Sequence, residues 1–352
     1  MEAQSAVVLT QGLLATNFAK TAHGLLRGSD RFAVRAVIDE RHGGRDAGEV
    51  MDGRAKGVPV FATLADCLAT VGEPPPRWMV VGVAFPGGYL PAPAREQVRQ
   101  ALEAGLSVVS GLHQWLADDD ELMALAAAHG GELLDIRRPR PDLHFWSGAV
   151  LDLPARRLAV LGMDCAIGKR TTCRWLWQGC RRRGLAAEMI YTGQTGWMQG
   201  YRHGFLFDAT PNDFVSGELE RALLDCHRDT GAELILIEGQ SGLRNPSGPC
   251  GSEMLLSGAV DGVVLQVAPG REFFVDFEDR GCRLPSIASE IELIRVYGVE
   301  TWAVCLNGEG LSGRQLAEAQ AELRAELGLP VIRPLDEGID ELVEVVAHRL
   351  RA

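Results

Sequence analysis

The fold is decided by one glycine-bracketed stretch of the chain, Gly162-Met163-Asp164-Cys165-Ala166-Ile167-Gly168-Lys169-Arg170-Thr171-Thr172. An apolar run at 157–161 leads into it, and a helical pattern over 171–183 follows it. Backbone N–H groups of such a loop can wrap phosphate oxygens, and the helix N-terminus adds partial positive charge. The sequence therefore predicts a P-loop in which Gly162 and every residue from Asp164 to Thr172 contribute to binding a phosphorylated cofactor, with Lys169 reaching the terminal phosphates.

Two features separate this stretch from the common pattern GxxxxGK[ST], whose Ser or Thr hydroxyl contacts Mg²⁺. Five residues rather than four lie between Gly162 and Gly168, and Arg170 directly follows Lys169. The usual metal-binding hydroxyl is displaced by one position, and the sequence does not decide between Thr171 and Thr172. The alternative interpretation, two turn glycines beside a solvated lysine, leaves the coincidence of strand, Gly-Lys pair and threonines unexplained.

Apolar strands and helical segments alternate on both sides of the loop. Strands are predicted near 6–9, 32–38, 78–83 and 106–109, and again near 187–191, 234–237, 262–267 and 301–306. Such βαβ alternation produces parallel sheets. The proline-rich run at 138–141 interrupts both periodicities. We therefore predict an α/β protein with a Rossmann-like domain at 1–140 and a P-loop NTPase-like domain at 141–352.

The first half lacks the fingerprint of a dinucleotide site. The turn after its first strand contains Gly12 alone, without the GxGxxG glycines that let backbone approach a pyrophosphate. Asp39, at the end of the second strand, stands where a ribose-binding acid is found, although an acid there is more often a solvated strand end. Phosphate binding is therefore assigned to the second domain.

Composition excludes several classes of function. The chain has 352 residues, 46% of them hydrophobic, and a net charge of -12, which disfavours nucleic acid as a partner because backbone phosphates attract clustered Lys and Arg. No apolar stretch approaches the roughly 20 residues that span a bilayer, and the N-terminus shows no signal core. We expect a cytoplasmic protein without a membrane partner and with its eight cysteines reduced. Closed homo-oligomers are common, and the sequence is compatible with one.

Polar residues that follow the later strands extend the candidate site. Glu238 comes directly after the strand at 234–237, at the edge where α/β sheets bind ligands, and is a candidate base or magnesium ligand. Gln240 lies two residues further on. Gln194 and Thr195 lie in the polar, Gly-rich segment after the preceding strand, which we expect to be a loop, and are predicted together with Gln240 to contact the substrate.

Three further residues have weaker signals. His203 is the histidine of this half closest to these motifs, and is the second candidate base, although a lone histidine is more often a packing residue. Arg271, after the strand at 262–267, offers a guanidinium group for a carboxylate or a phosphate and is assigned to substrate binding. Asn307, after the last predicted strand, resembles a nucleotide-base contact of the cofactor.

The motifs GMDCAIGKRTT, YTGQTGW and IEGQSGLRNP resemble those of a family long described as being of unknown function, whose members join an N-terminal Rossmann-like domain to a C-terminal P-loop domain. The resemblance covers nearly the whole chain. Studied members are D-glutamate N-acetyltransferases, so it implies an acetyl-CoA-dependent step in D-amino-acid metabolism. The loop alone is also similar to that of dethiobiotin synthetase, an ATP-dependent ligase.

The residues themselves leave three functions open. An N-acetyltransferase for a small acidic amino acid would use Glu238 or His203 as base and Arg271 for substrate carboxylates, with acetyl-CoA held by the loop. An ATP-dependent ligase or kinase would instead place Mg²⁺ on Thr171 or Thr172 with Glu238. A non-catalytic nucleotide-binding regulator is the third.

Overall fold

The computed structural model describes residues 2–351 in two compact units. The first unit holds the residues up to Arg140 together with Gln194–Tyr201, and the second holds Pro141–Gly193 and the residues from Arg202 onward. Each unit is built on one parallel sheet with helices between its strands. The predicted fold class is therefore confirmed.

The first sheet has six strands in the order β3-β2-β1-β4-β5-β6, which is the strand order of a Rossmann fold. Its strands are β1 (Gln4–Leu9), β2 (Phe32–Ile38), β3 (Val60–Phe61), β4 (Trp78–Val81), β5 (Ser107–Ser110) and β6 (Leu133–Asp135). The second sheet has seven strands in the order β13-β12-β11-β7-β10-β8-β9. They are β7 (Arg156–Gly162), β8 (Ala187–Tyr191), β9 (His203–Gly204), β10 (Leu234–Glu238), β11 (Gly262–Val267), β12 (Thr301–Leu306) and β13 (Val331–Ile332).

Helices connect these strands in both units. They are α1 (Lys20–Leu26), α2 (Ala47–Asp52), α3 (Leu64–Thr70), α4 (Ala92–Glu103), α5 (Asp120–His129), α6 (Lys169–Arg182), α7 (Gln194–Gln199), α8 (Asn212–Thr230), α9 (Ser252–Leu256), α10 (Ile287–Val296), α11 (Gly313–Leu327), α12 (Pro334–Glu337) and α13 (Asp340–Arg351). Among residues 2–351, no helix combines the length and apolar character needed to cross a membrane.

In the second sheet the central strands β7, β10 and β11 are buried on both faces, which explains their continuous runs of Val, Leu and Ile. One face packs on α8, where Ile235 and Ile237 join Leu219 and Leu223 in a single apolar core. The residues that alternate with Ile235 and Ile237 along β10 point to the other face, because successive side chains of a strand point to opposite faces. Glu238 belongs to that other face, which α6 contacts.

One local expectation was wrong. The segment containing Gln194 and Thr195 was expected to be a Gly-rich loop, yet it forms α7 and packs within the first unit. Met198 is fully buried there, and the amide of Gln199 donates to the carbonyl oxygens of Gly24 and Gly28. Tertiary packing of a short segment overrode its turn-like composition.

Asp39 is part of the internal framework of the first unit. Its carboxylate is buried, and Oδ2 accepts from the Thr10 hydroxyl at 2.7 Å and the Leu14 amide at 3.0 Å. Oδ1 accepts from the Arg41 amide at 3.2 Å and lies 2.7 Å from Nδ1 of His42. Oδ2 thus ties the end of β1 to the end of β2, and Oδ1 holds the turn that follows β2, so both oxygens of this buried group have partners.

Replacing Asp39 should therefore destabilise the protein. Asp39→Ala leaves the buried Leu14 N–H without its acceptor, and we expect a loss of about 2 to 3 kcal/mol in the free energy of unfolding. Denaturant titration followed by circular dichroism measures it. Glu103→Ala removes an acid from an exposed ion pair with Arg99 and should cost less than about 0.5 kcal/mol. Equal losses in both variants would contradict the structural role of Asp39.

Candidate functional site

Between β7 and α6 the backbone enters the left-handed region twice, at Ala166 (φ 56°) and at Gly168 (φ 103°). An alanine rarely adopts a positive φ, and such strain is retained mainly where function requires it. Alternating right- and left-handed residues turn successive N–H groups toward one point and create an anion-binding concavity. The loop also ends at the N-terminus of the 14-residue helix α6, which adds the positive end of its dipole.

Lys169 is held beside this loop by the backbone. Its Nζ donates to the carbonyl oxygen of Asp164 at 2.6 Å and to that of Ser241 at 2.7 Å. The stem of the lysine packs on Gly162, where a Cβ would lie 2.9 Å from its Cγ and Cδ atoms. Gly162 is therefore needed to make room for the lysine, and the two carbonyls keep the ammonium group next to the loop.

The shape of the loop depends on the carboxylate of Asp164, which is fully buried. Oδ1 accepts from the Cys165 amide at 2.7 Å and from Nδ2 of Asn245 at 2.9 Å. Oδ2 accepts from Nη1 of Arg271 at 2.6 Å and from the Val275 amide at 2.9 Å. Four donors from three separate segments therefore converge on one loop residue.

Arg271 and Asn307 also bind the loop itself. Arg271 donates to the carbonyl oxygen of Cys165 at 2.9 Å and pairs with Glu309 in addition to Asp164. Asn307 donates through Nδ2 to the carbonyl oxygen of Ile167 at 3.0 Å. In the structure both predicted ligand contacts thus bind carbonyl oxygens of the loop and brace its backbone.

Glu238 lies at the end of β10, next to the loop. Its carboxyl group is buried, and Oε2 accepts from the Thr192 amide at 3.3 Å. Oε1 lies 4.0 Å from Nη1 of Arg170, the second residue of α6. Burial raises the pKa of Glu238 above its ordinary value, and the charges of Arg170 and Lys169 oppose that shift. The group is therefore a stronger base than a solvated carboxylate.

Gln240 is connected to Glu238 through Thr192. The Thr192 hydroxyl donates to the carbonyl oxygen of Glu238 at 2.6 Å, and Nε2 of Gln240 donates to that hydroxyl at 3.0 Å. A Cβ at Gly193 would lie 2.6 Å from the same Nε2 atom, so a larger residue there would displace the Gln240 side chain. The structure thus brings the predicted residues Glu238 and Gln240 together at the carboxyl ends of β8 and β10.

The two threonines of the loop are not equivalent. The Thr172 hydroxyl is buried and donates to Oε1 of Gln266 on β11 at 2.7 Å. Thr171 is half-buried and precedes it in the first turn of α6. Thr172 therefore links the helix to the sheet, and Thr171 is the threonine with solvent access.

His203 is separated from Glu238 by the sheet. It lies in register with Ile190 of β8, which lies in register with Ile237 of β10. Residues in register share a face and consecutive residues alternate, so the side chains of His203 and Glu238 point to opposite faces. The imidazole of His203 lies 4.0 Å from Asp229 of α8, and burial lowers its pKa. The structure does not bring the two candidate bases together.

Gln194 and Thr195 belong to the first unit. Oε1 of Gln194 accepts from Nε of Arg137 at 3.0 Å, and its Nε2 donates to the Thr21 hydroxyl at 3.3 Å. The Thr195 hydroxyl lies 3.0 Å from that of Thr21. Both side chains are buried in contacts with this unit.

Two family models match the chain. The model described as "Domain of unknown function (DUF1611_C) P-loop domain" matches residues 144–343, and the model described as "Domain of unknown function (DUF1611_N) Rossmann-like domain" matches residues 40–139. The chain belongs to the DUF1611 family. The resemblance that its motifs indicated is thereby confirmed.

Three known proteins resemble this chain over most of its length. A protein of Pseudoalteromonas sp., named D-glutamate N-acetyltransferase, is 31% identical over 277 residues, which cover 76% of this chain and 80% of that protein. A protein of Tritonibacter scottomollicae with the same name is 29% identical over 282 residues, covering 77% and 81%. A crystal structure of a DUF1611 family protein from Anabaena variabilis has 28% identity and a TM-score of 0.89, covering 98% of this chain and 99% of that one.

Sequence reasoning missed several residues that shape this DUF1611 site. Ser241 and Asn245 lie in the polar run after β10, and that position was a usable signal. Gln266 is a buried glutamine in an otherwise apolar strand, which is a second usable signal. For Thr192 the sequence offered no such signal beyond its position directly after β8. Within residues 2–351, no group of three or more His, Cys, Asp or Glu side chains is arranged to hold a metal ion.

We expect Lys169→Ala to weaken binding of a phosphorylated ligand, because it removes the charge that two carbonyls hold beside the loop. Charge-assisted contacts are worth about 1.5 to 3 kcal/mol, or roughly ten- to a hundredfold in Kd. Calorimetric titration with CoA and with ADP measures the change. Lys56→Ala, which removes an exposed lysine of the first unit, is the matched control. An unchanged Kd for both ligands in a folded Lys169→Ala protein would rule out the loop as their binding site.

Proposed function

We propose that this protein transfers an acetyl group from acetyl-CoA to the amine of a small acidic amino acid, most specifically D-glutamate. The names of two relatives that cover more than three quarters of the chain support this reaction. The observation that carries the proposal in the structure is Glu238, a buried carboxyl group with a raised pKa beside a phosphate loop. Acetyl transfer to an ammonium group needs such a base, and CoA supplies phosphates for the loop.

The loop is suited to the pyrophosphate of CoA. Left-handed residues such as Ala166 and Gly168 turn backbone N–H groups toward an anion, and Lys169 adds a positive charge beside them. These groups recognise phosphate without regard to the remainder of the ligand. In this proposal the loop binds the phosphates of acetyl-CoA, and neighbouring residues carry out the acetyl transfer.

Glu238 supplies the base in this proposal. Its carboxylate takes a proton from the ammonium group of the amino acid, and the neutral nitrogen then attacks the carbonyl carbon of the thioester. A C–N bond forms, the C–S bond breaks, and the thiolate leaves with the second proton of the nitrogen. Glu238 afterwards releases its proton to solvent. The products are the N-acetyl amino acid and CoA with a free thiol.

The pantetheine arm of CoA is long and flexible, so the base role of Glu238 requires the arm to fold back toward the loop. Two roles for Glu238 must therefore be distinguished, that of a base and that of a contact in the phosphate site. Loss of a base lowers kcat, whereas loss of a contact in the phosphate site raises the KM for acetyl-CoA. Gln240, which the Thr192 hydroxyl connects to Glu238, is the accompanying candidate for substrate binding.

Purified protein incubated with D-glutamate and acetyl-CoA should release a free thiol and form a product heavier by one acetyl group. A parallel incubation with D-glutamate, ATP and Mg²⁺ should release no ADP. L-glutamate and D-alanine in place of D-glutamate test the stereochemistry and the need for an acidic side chain. Substrate-dependent ADP without thiol would overturn the acetyl-transfer proposal and favour the ATP-dependent ligase or kinase.

Activity should depend on pH through Glu238. Because burial raises the pKa of Glu238 above 4.5, its carboxyl is protonated and unable to accept a proton up to a higher pH than usual. We expect kcat to fall as the pH drops through this raised pKa. Glu238→Gln should lower kcat by roughly a hundredfold or more and remove that limb of the profile.

Glu188→Gln is the matched control for this pH experiment. Glu188 lies on the neighbouring strand β8, and burial also raises its pKa, but it is in register with Ile235, near the opposite end of β10. Its variant should keep both kcat and the acidic limb. A Glu238→Gln enzyme with unchanged kcat and a raised KM for acetyl-CoA would exclude the base role.

A further inference from the structure

The second residue of helix α6 is an arginine where phosphate loops commonly carry a hydroxyl. In the pattern GxxxxGK[ST], the residue after the lysine contacts Mg²⁺, and an acid at the end of a neighbouring strand completes the metal site. Here Arg170 follows Lys169, and Glu238 ends β10, which pairs directly with the loop-bearing strand β7. The chain thus has the acid and lacks the hydroxyl in its usual place.

Arg170 and Glu238 lie beside each other where other P-loops bind the metal ion. Nη1 of Arg170 lies 4.0 Å from Oε1 of Glu238, and their side chains are only 19% and 3% exposed. A divalent cation bound to Glu238 would therefore lie next to a partly buried guanidinium group. Two positive charges that close repel strongly where water is largely excluded. The guanidinium group of Arg170 therefore opposes binding of a metal ion beside Glu238.

The neighbouring threonines do not restore the metal site. Successive residues of an α-helix are rotated by about 100° around its axis, so Thr171 cannot present its hydroxyl in the direction taken by Arg170. The Thr172 hydroxyl is buried and donates to Gln266. The residues of this loop therefore do not fit the Mg²⁺ that P-loop folds commonly use.

We propose that this loop binds the pyrophosphate of its ligand without a divalent cation, with the guanidinium group of Arg170 supplying positive charge where Mg²⁺ does so in other P-loops. Arginine suits this role because its planar group donates two parallel hydrogen bonds to phosphate oxygens. The inference rests on the proposed function only in naming CoA as the ligand. It concerns binding, so it stands or falls separately from acetyl transfer.

Calorimetric titration of the full-length protein with CoA tests this inference, once with EDTA and once with excess MgCl₂. We expect the two Kd values to agree within about twofold. A Kd that is tenfold or more tighter with Mg²⁺ would overturn the inference. If CoA does not bind and ADP does, the acetyl-donor proposal fails, and the comparison with and without Mg²⁺ is decided on ADP.

Substitution of Arg170 provides a second measurement. Arg170→Thr recreates the sequence Gly-Lys-Thr and should weaken binding in EDTA by roughly tenfold or more, with part of the loss recovered in Mg²⁺. Arg170→Lys keeps a positive charge and should remain independent of Mg²⁺. Arg182→Thr, an exposed change at the far end of the same helix, should bind like the wild type. Wild-type affinity of a folded Arg170→Thr protein in EDTA would contradict the role of Arg170.

Discussion

The geometry of the site depends on the buried carboxylate of Asp164. A phosphate loop must direct its N–H groups outward, so no regular ladder of hydrogen bonds can hold its backbone in place. Asp164 solves this by accepting four hydrogen bonds, among them those of Asn245, Arg271 and the Val275 amide. Arg271 in turn pairs with Glu309. Groups that follow several different strands therefore hold the loop in place, and its strained residues can persist.

The parallel sheet is what brings these groups together. In such a sheet the carboxyl ends of all strands lie at the same edge, so residues that are distant in sequence become neighbours there. Strands β7, β8, β10 and β11 deliver the phosphate loop, Thr192, Glu238 and Gln266 to that edge. Alternation along each strand then decides which of them face α6. His203 ends on the other face for this reason, although it lies close to the motifs in sequence.

The sequence was sufficient for the fold class and for the longer strands of both sheets. The nine longer strands could be predicted because buried parallel strands are continuous apolar runs, and the position of Glu238 followed from the strand before it. The strands β3, β6, β9 and β13 contain only two or three residues and give no such run. The contacts of Arg271 and Asp164 could not be predicted, since a carboxylate and a guanidinium 107 positions apart give no periodic signal. The helix at Gln194 was missed because its stability comes from burial of Met198 in the first unit, which overrides a turn-like composition.

The pair formed by Arg170 and Glu238 is not explained by stability. Two largely buried charges 4.0 Å apart recover little more than the cost of removing them from water, and well-packed apolar residues serve a sheet edge at least as well. Burial also raises the pKa of Glu238. Ionisation of this carboxyl group is therefore less favourable in the folded protein than in the unfolded chain, which lowers the free energy of unfolding where the group is ionised. Such an arrangement is retained where the charges act on something else. The position of the pair beside the loop fits the two roles proposed for it, in which Arg170 binds phosphate oxygens and Glu238 accepts a proton from the substrate.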